Sequence, residues 1–347
     1  MKILFDIYHP AHVHLFKHSI WELKDSRHEV MITSRRKDIT TSLLDAYGFD
    51  HHPISSQKFG LLKNVREGVS RGRKLLSIGL KFNPDIIVSR ISPLTVYVSK
   101  IIGAKNLMFK DSDYVNTLSY FTHPFVDVMY IPNNFQIEFN TTVHSVDGFQ
   151  ELAYLHPNWF EPNQDILAEY DIQPKDNEFY ILRFVAMEAH HDVGQRGFSM
   201  EAKKELVSLL EEHGTVYITS ETELPKDFKD HRLPISPEDI HHILYYADLY
   251  VGDSQTMATE AAILGTPAIR YNTFVGEKDF SNFIELEETY KLLYSFSDEG
   301  KAIEKAKDII FDSNSKEKWR KRRKKMISDK IDVTQDMIQV IEDVGSS

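Results

Sequence analysis

Cysteine is absent, so neither a disulfide nor a thiolate nucleophile or metal ligand is available. Glycine is missing where it would carry most meaning. No Gly-x-Gly-x-x-Gly follows the first apolar run or the run at 179–185, and no Gly-x-x-x-x-Gly-Lys-Ser/Thr or Gly-x-Ser-x-Gly occurs. These gaps argue against a dinucleotide dehydrogenase, a P-loop enzyme and the common serine hydrolases. No window approaches about 18 consecutive apolar residues, so no membrane span is expected. The apolar start is broken by Asp6 and by His9-Pro10, short of a signal-peptide core, and the expected location is the cytoplasm. Positive charge is not in excess either. Lys and Arg number 41 against 52 Asp and Glu, a net charge of −11, which speaks against general nucleic-acid binding.

What is present is a soluble, globular composition, 41% hydrophobic and 27% charged over 347 residues. That is too long for one ordinary domain and suits two of roughly 150 residues. Short apolar runs at 2–8, 29–33, 50–53, 84–89, 105–109 and 127–131 alternate with helical patterns, among them 41–47, 61–80 and 93–102. The same alternation resumes with strands at 179–185, 215–220, 249–251 and 268–271, around helices at 199–212, 237–247 (capped by Ser236) and 255–264. Strand–helix alternation at this spacing implies right-handed βαβ units on parallel sheets. The expected architecture is therefore α/β, with two doubly wound parallel-sheet domains. An N-terminal domain covers 1–155, a Pro-containing linker 156–178 and a second domain 179–328, and residues 329–347 form a helix that crosses back to the first domain. Past Tyr294 the alternation gives way to helices.

The most informative stretch is Ala247 to Asn272, a buried strand, the turn Gly252-Asp-Ser254, a helix from Gln255 to Leu264 and a Gly-Thr-Pro stop. A helix that opens after a strand presents free backbone N–H groups and the positive end of its dipole, a ready site for phosphate. Glu260, further along that helix, can accept two hydrogen bonds, which suits vicinal sugar hydroxyls. The plain alternative is a βαβ unit with an ordinary cap at each helix end. Ligands of doubly wound sheets bind beyond the carboxyl ends of the strands. The polar residues there include Asp6, His9, His12, His14, Ser89, Arg90, Asp111 and Asp113 in the first half. In the second half they are Arg183, Glu188, His190, His191, Ser220, Glu221, Asp253, Ser254, Thr256 and Glu260. His9, His12 and His14 point in divergent directions as a turn enters a helix, so no metal is expected there; His12 or His14 serves as base or phosphate contact, or simply packs. Asp111 and Asp113 are read as base or sugar ligand. Arg183, inside an apolar run, needs an anion, either a structural partner or a diphosphate. His241 and His242 are expected at the surface or core edge.

Two basic clusters interrupt the acidic background: Lys58 to Lys81, in which Glu67 is the one acid, and Lys316 to Lys325. Each is either a helix covering the sheet with its basic side in water or a peripheral contact with anionic membrane at its inner face.

The stretch Gly252 to Asn272 resembles the nucleotide-sugar-binding segment of the two-domain (GT-B) glycosyltransferases and of the UDP-N-acetylglucosamine 2-epimerases. Almost the whole chain is similar to the predicted glycosyltransferases grouped as domain of unknown function 354. The similarity rests on Phe5-Asp-Ile-Tyr-His-Pro-Ala-His-Val-His-Leu-Phe16, Pro84-Asp-Ile-Ile-Val-Ser-Arg90, Leu182-Arg-Phe-Val185, Tyr217-Ile-Thr-Ser-Glu221 and Gly252-Asp-Ser-Gln-Thr-Met-Ala-Thr-Glu260. The resemblance implies two Rossmann-like domains facing a cleft. It implies a metal-independent glycosyltransferase without a cofactor, which moves sugar from a nucleoside-diphosphate sugar to a hydroxyl of a glycan or lipid-linked acceptor. Ser254 and the N–H groups of Gln255 and Thr256 would meet the donor diphosphate, with Arg183, Ser220, Glu221 and Asp253 around it, and Glu260 would hold the ribose hydroxyls. The base would be His12, His14, Asp111 or Asp113. An epimerase or hydrolase of sugar nucleotides, or a non-catalytic binding protein of the same fold, are the alternatives. The His-Val-Glu-Ala-Gly of the epimerases is replaced here by Phe109-Lys-Asp-Ser-Asp113, which counts against epimerisation. A homodimer is compatible with all three.

Overall fold

A computed structural model of the chain describes residues 1–37, 39–56, 60–110, 121–135, 139–172, 178–184, 197–220, 223–272, 275 and 279–347, without the side chains of 61–64. The chain divides into two compact units, Met1–Trp159 with Lys330–Ser347, and Phe160–Asp329.

The first unit is built on a parallel sheet of β1 (Lys2–Ile7), β2 (Glu29–Arg36), β3 (His52–Ser56), β4 (Ile86–Arg90), β5 (Lys105–Phe109), β6 (Val128–Pro132) and β7 (Thr142–Val146). The strands lie in the order β3-β2-β1-β4-β5-β6-β7. The near-continuous apolar runs of β1 and β4 suit strands covered on both faces, and Leu4, Ile87, Leu75, Phe82 and Val98 form one core layer. The helix Val333–Ser346 belongs to this unit. Asp332 caps it, accepting from the N–H groups of Thr334 and Gln335, and is held in turn by the Trp159 indole at 2.7 Å.

The second unit carries β8 (Glu178–Phe184), β9 (Gly214–Ser220), β10 (Leu249–Gly252), β11 (Ala268–Tyr271) and β12 (Leu293–Phe296). They are parallel in the order β12-β11-β10-β8-β9. Both units are thus doubly wound, Rossmann-like sheets. In each, the order reverses at one place, β1/β4 in the first sheet and β8/β10 in the second, where a crevice opens beyond the strand ends.

Several local expectations change. β7 lies beyond the last apolar run expected in the first domain, and β12 where the alternation was expected to give way to helices. A 3-10 turn, Pro237–Asp239, precedes the helix Ile240–Tyr246, and the Ser236 side chain makes no capping bond. The basic stretch 61–82 is not simply basic toward water. Arg71 and Glu67 are buried, Arg71 on Asp6 and Glu67 on Arg35.

The 316–325 cluster, in the helix Ser315–Asp329, is largely committed to its own unit. Lys316 bonds Asp248 and the Tyr246 carbonyl, Arg322 the Lys291 carbonyl and Arg323 the Ile263 carbonyl. Arg323 thereby places a cation at the C-terminus of the helix Gln255–Leu264, where the dipole favours one.

His18 packs between Trp21 and Trp159, with ring centroids 5.3 and 5.4 Å away. Burial, helped by Lys17 and opposed by Asp332, lowers its pKa to about 3. The unfolded chain binds a proton below about pH 6.5 that the folded one refuses, so the stability contributed by this group is full above that pH and is lost as pH falls. Replacing His18 with Gln should lower the melting temperature at pH 7, and the gap to the wild type should narrow steadily toward pH 4 in a calorimetric series. A constant gap would contradict the assignment.

Candidate functional site

The second unit's crevice is set by the pairing of β8 and β10. Gly252 stands opposite Arg183, and the Asp253 N–H donates to the Arg183 carbonyl at 3.2 Å. A Cβ at Gly252 would lie 2.5 Å from the Tyr250 hydroxyl oxygen and 2.7 Å from the Arg183 carbonyl oxygen. Only glycine lets these strand ends approach so closely. Tyr250 is fully buried and its hydroxyl donates to the Ser254 carbonyl at 3.4 Å. Burial pushes that hydroxyl's pKa well above the usual range, Asp253 and Glu260 push the same way, and Arg183 opposes them. The hydroxyl stays protonated, ringed by these three charges.

From this floor the chain turns through Asp253 into the helix Gln255–Leu264. Ser254 is the cap, its Oγ accepting from the Met257 N–H at 3.4 Å. Gln255 is half-buried and Thr256 exposed, so the first turn presents backbone donors that no intrahelical carbonyl can reach. Ser220 ends the neighbouring β9. Glu260 lies further along the helix, 4% exposed, with Oε1 3.1 Å from Nε2 of His241. His241 is 1% exposed, fully inside rather than at the surface or core edge. It shares a helical face with Leu244 three residues on, and that face is buried against Glu260's helix.

In the first unit the reversal point gathers a second polar group. The Asp6 carboxylate is fully buried at the end of β1 and receives Arg71 at 2.6 and 2.8 Å and the Thr33 hydroxyl at 2.8 Å. The Arg71 guanidinium lies 5.1 Å from the Tyr8 ring, whose hydroxyl donates to the Ile91 carbonyl at 2.6 Å. His9 caps the helix Pro10–Asp25, its Nδ1 accepting from the Ala11 N–H. His12 stands edge-on to Tyr8 with centroids 4.3 Å apart. Burial lowers its pKa well below the ordinary value, and Arg90, His9, Lys37 and Arg71 reinforce the shift. The ring is therefore neutral near pH 7. Its Nδ1 is buried and has no hydrogen-bond partner among the described residues. His14 is placed differently, stacked on Tyr154 at 5.4 Å and 3.4 Å from the Tyr47 hydroxyl. The helix thus sends His12 to the strand-end crevice and His14 into aromatic packing.

Asp111, Asp113, Glu188, His190, His191 and Glu221 lie outside the described residues. Among the described residues no group of three His, Asp or Glu side chains is arranged to hold a metal. Tyr8, Arg71 and Tyr250 were not foreseen. Arg71 looked like one more cation in a basic helix, although its spacing from Glu67 and Leu75 already puts all three on one face.

Two parallel, Rossmann-like sheets, each with polar side chains at its strand ends, define an α/β protein of two doubly wound units. The chain belongs to the family described as protein of unknown function (DUF354), whose model matches residues 1–340. Among solved structures it is similar to the UDP-GlcNAc 2-epimerase of Neisseria meningitidis bound to UDP-GlcNAc, with a TM-score of 0.67 and 12% identity, covering 99% of this chain and 100% of that one. It is similar to spinosyn forosaminyltransferase SpnP (TM-score 0.66, 13% identity, 100% of both chains). It also resembles SsfS6, a Streptomyces glycosyltransferase (TM-score 0.60, 13% identity, 99% of both chains). At these identities the likeness is one of fold. A search of curated proteins finds no match.

The Gly252 contact yields a direct expectation. Replacing Gly252 with Ala should destabilise the protein by about 1–3 kcal/mol, the usual penalty for overpacking, read as a lower denaturation midpoint. An unchanged midpoint would show that the two strand ends can part without penalty.

Proposed function

We propose that the protein is a glycosyltransferase that moves a sugar from a nucleoside-diphosphate sugar to a hydroxyl acceptor without a metal ion. The observation that carries this reading is the second unit's crevice, where the free N–H groups of the 255–264 helix stand beside Arg183 at the β8/β10 reversal. In the reaction the acceptor oxygen bonds to the anomeric carbon as the bond to the diphosphate breaks. The helix dipole and Arg183 stabilise the negative charge that develops on the departing diphosphate, and a site already oriented needs no rearrangement to do so. Glu260 takes the ribose hydroxyls, and His241 holds its carboxylate in position. The acceptor's proton goes to a base on the first unit. His12 suits that role because it is neutral near pH 7 and its Nδ1 is uncommitted among the described residues; Asp111 and Asp113 are the alternatives from the sequence, while the packing of His14 makes it the weaker candidate. The acceptor is a glycan or a lipid-linked hydroxyl.

Calorimetry with uridine diphosphate and other nucleoside diphosphates tests the donor assignment. Replacing Glu260 with Ala removes hydrogen bonds to a charged group, worth about 1.5–3 kcal/mol, so affinity should fall at least tenfold while the thermal transition persists. Unchanged affinity in a folded variant would rule out the ribose role. The second reading, an epimerase or hydrolase, draws on the fold shared with an epimerase bound to UDP-GlcNAc. Incubation with a nucleotide sugar and no acceptor separates the two. The transferase leaves the sugar nucleotide intact, whereas inversion at C2 or release of free sugar favours the second reading.

A further inference from the structure

The outer face of the first unit exposes apolar side chains that its fold does not use. Val65 and Val69 of the helix Leu61–Phe82 are 60% and 51% exposed, and Ile101 of the helix Pro93–Ile102 is 65% exposed. Tyr97, Phe121 and Phe125 are also exposed. They form one surface. Gly72 and Gly79 of the first helix pack on Leu94 and Ile102 of the second. The Tyr97 hydroxyl bonds the Phe121 carbonyl at 2.7 Å, and the Tyr97 and Phe125 rings lie 5.7 Å apart. At about 100° per residue, Val65 and Val69 fall within a narrow arc beside the glycines, and Arg66, Arg73 and Lys74 follow next around the circumference. Those cations are exposed. Arg66, Lys74 and Arg36, with Ser55, Ser56 and Ser70, line a recess of about 270 Å³ against β3. Glu67 reaches the same recess, but its carboxylate is already held by Arg35 at 2.9 and 2.6 Å.

We infer that this face docks on the surface of a bilayer carrying anionic phospholipid, with the apolar side chains at the acyl boundary and the cationic recess receiving headgroups. A groove for a protein segment would present an apolar recess with a polar rim. Here the relief is reversed. The apolar groups stand out and the recess is cationic, which matches a surface whose charge lies outside its hydrocarbon. The net charge of −11 makes a basic face on this chain a local feature. Among the described residues no helix is long and apolar enough to cross a membrane, so such contact would be peripheral. The 316–325 cluster, bonded to its own unit, is not part of it.

Co-sedimentation of the full chain with vesicles of phosphatidylcholine, with and without phosphatidylglycerol, tests the inference without requiring any enzymatic activity. Binding should need the anionic lipid and weaken as salt rises. Each of Arg66→Gln and Lys74→Gln should weaken it about fivefold, and Val69→Ser with Ile101→Ser should weaken it further. Replacing Lys321 and Lys324 with Gln should leave it unchanged. These positions are exposed, so unchanged melting curves will confirm that the variants fold. Absence of binding, equal binding to neutral vesicles, or equal loss in the Lys321/Lys324 variant would overturn the inference. So would concentration-dependent self-association that the Val69 and Ile101 substitutions abolish, since the face would then belong to a second copy of the chain.

Discussion

The second unit depends on an absence, the missing side chain at Gly252. The end of β10 lies so close to the Arg183 carbonyl and the Tyr250 hydroxyl that a methyl group would overlap both. That contact fixes where the chain leaves the sheet, and hence where Ser254 starts the next helix. No Gly-x-Gly-x-x-Gly occurs in the sequence, and it is this single glycine that sets the path of the backbone at the end of β10. The helix it positions is anchored at its far end as well. Gly265 adopts a left-handed conformation (φ +79°), and Arg323 lies against it and bonds the Ile263 carbonyl. A basic cluster that looks like a surface patch therefore helps to hold the 255–264 helix in place.

The first unit meets the same problem with charge. Asp6 is an expensive residue to bury, and the cost is offset by the paired contacts of Arg71 and the Thr33 hydroxyl. This pair ties the 61–82 helix to the end of β1, and Tyr8, stacked near Arg71, fills the floor on which His12 rests. Burial, reinforced by Arg90, Lys37 and Arg71, keeps the His12 ring neutral near pH 7.

Where the amino-acid pattern is locally determined, the sequence reads clearly. Ser254 and the Gly265-Thr-Pro stop bound the 255–264 helix at the residues observed, and the 105–109 and 268–271 strands coincide with theirs. The strands that escaped notice, β7 and β12, are edge strands only partly buried, so little apolar patterning is imposed on them. The site was half legible. Position at a strand end identified His12, Arg183 and Ser254 as candidates. The buried pairs nearby, Asp6 with Arg71 and Glu260 with His241, join residues distant in sequence, and no spacing rule connects them before the sheet order is known.

The proposed transferase requires that a nucleoside diphosphate be held by the backbone at the β8/β10 reversal. Hydrogen–deuterium exchange on the full chain, with and without uridine diphosphate, addresses that directly. New protection should concentrate in the amides of residues 252–257 and in the helix that follows. Protection confined to the first unit, or none at ligand concentrations that saturate calorimetric binding, would contradict it.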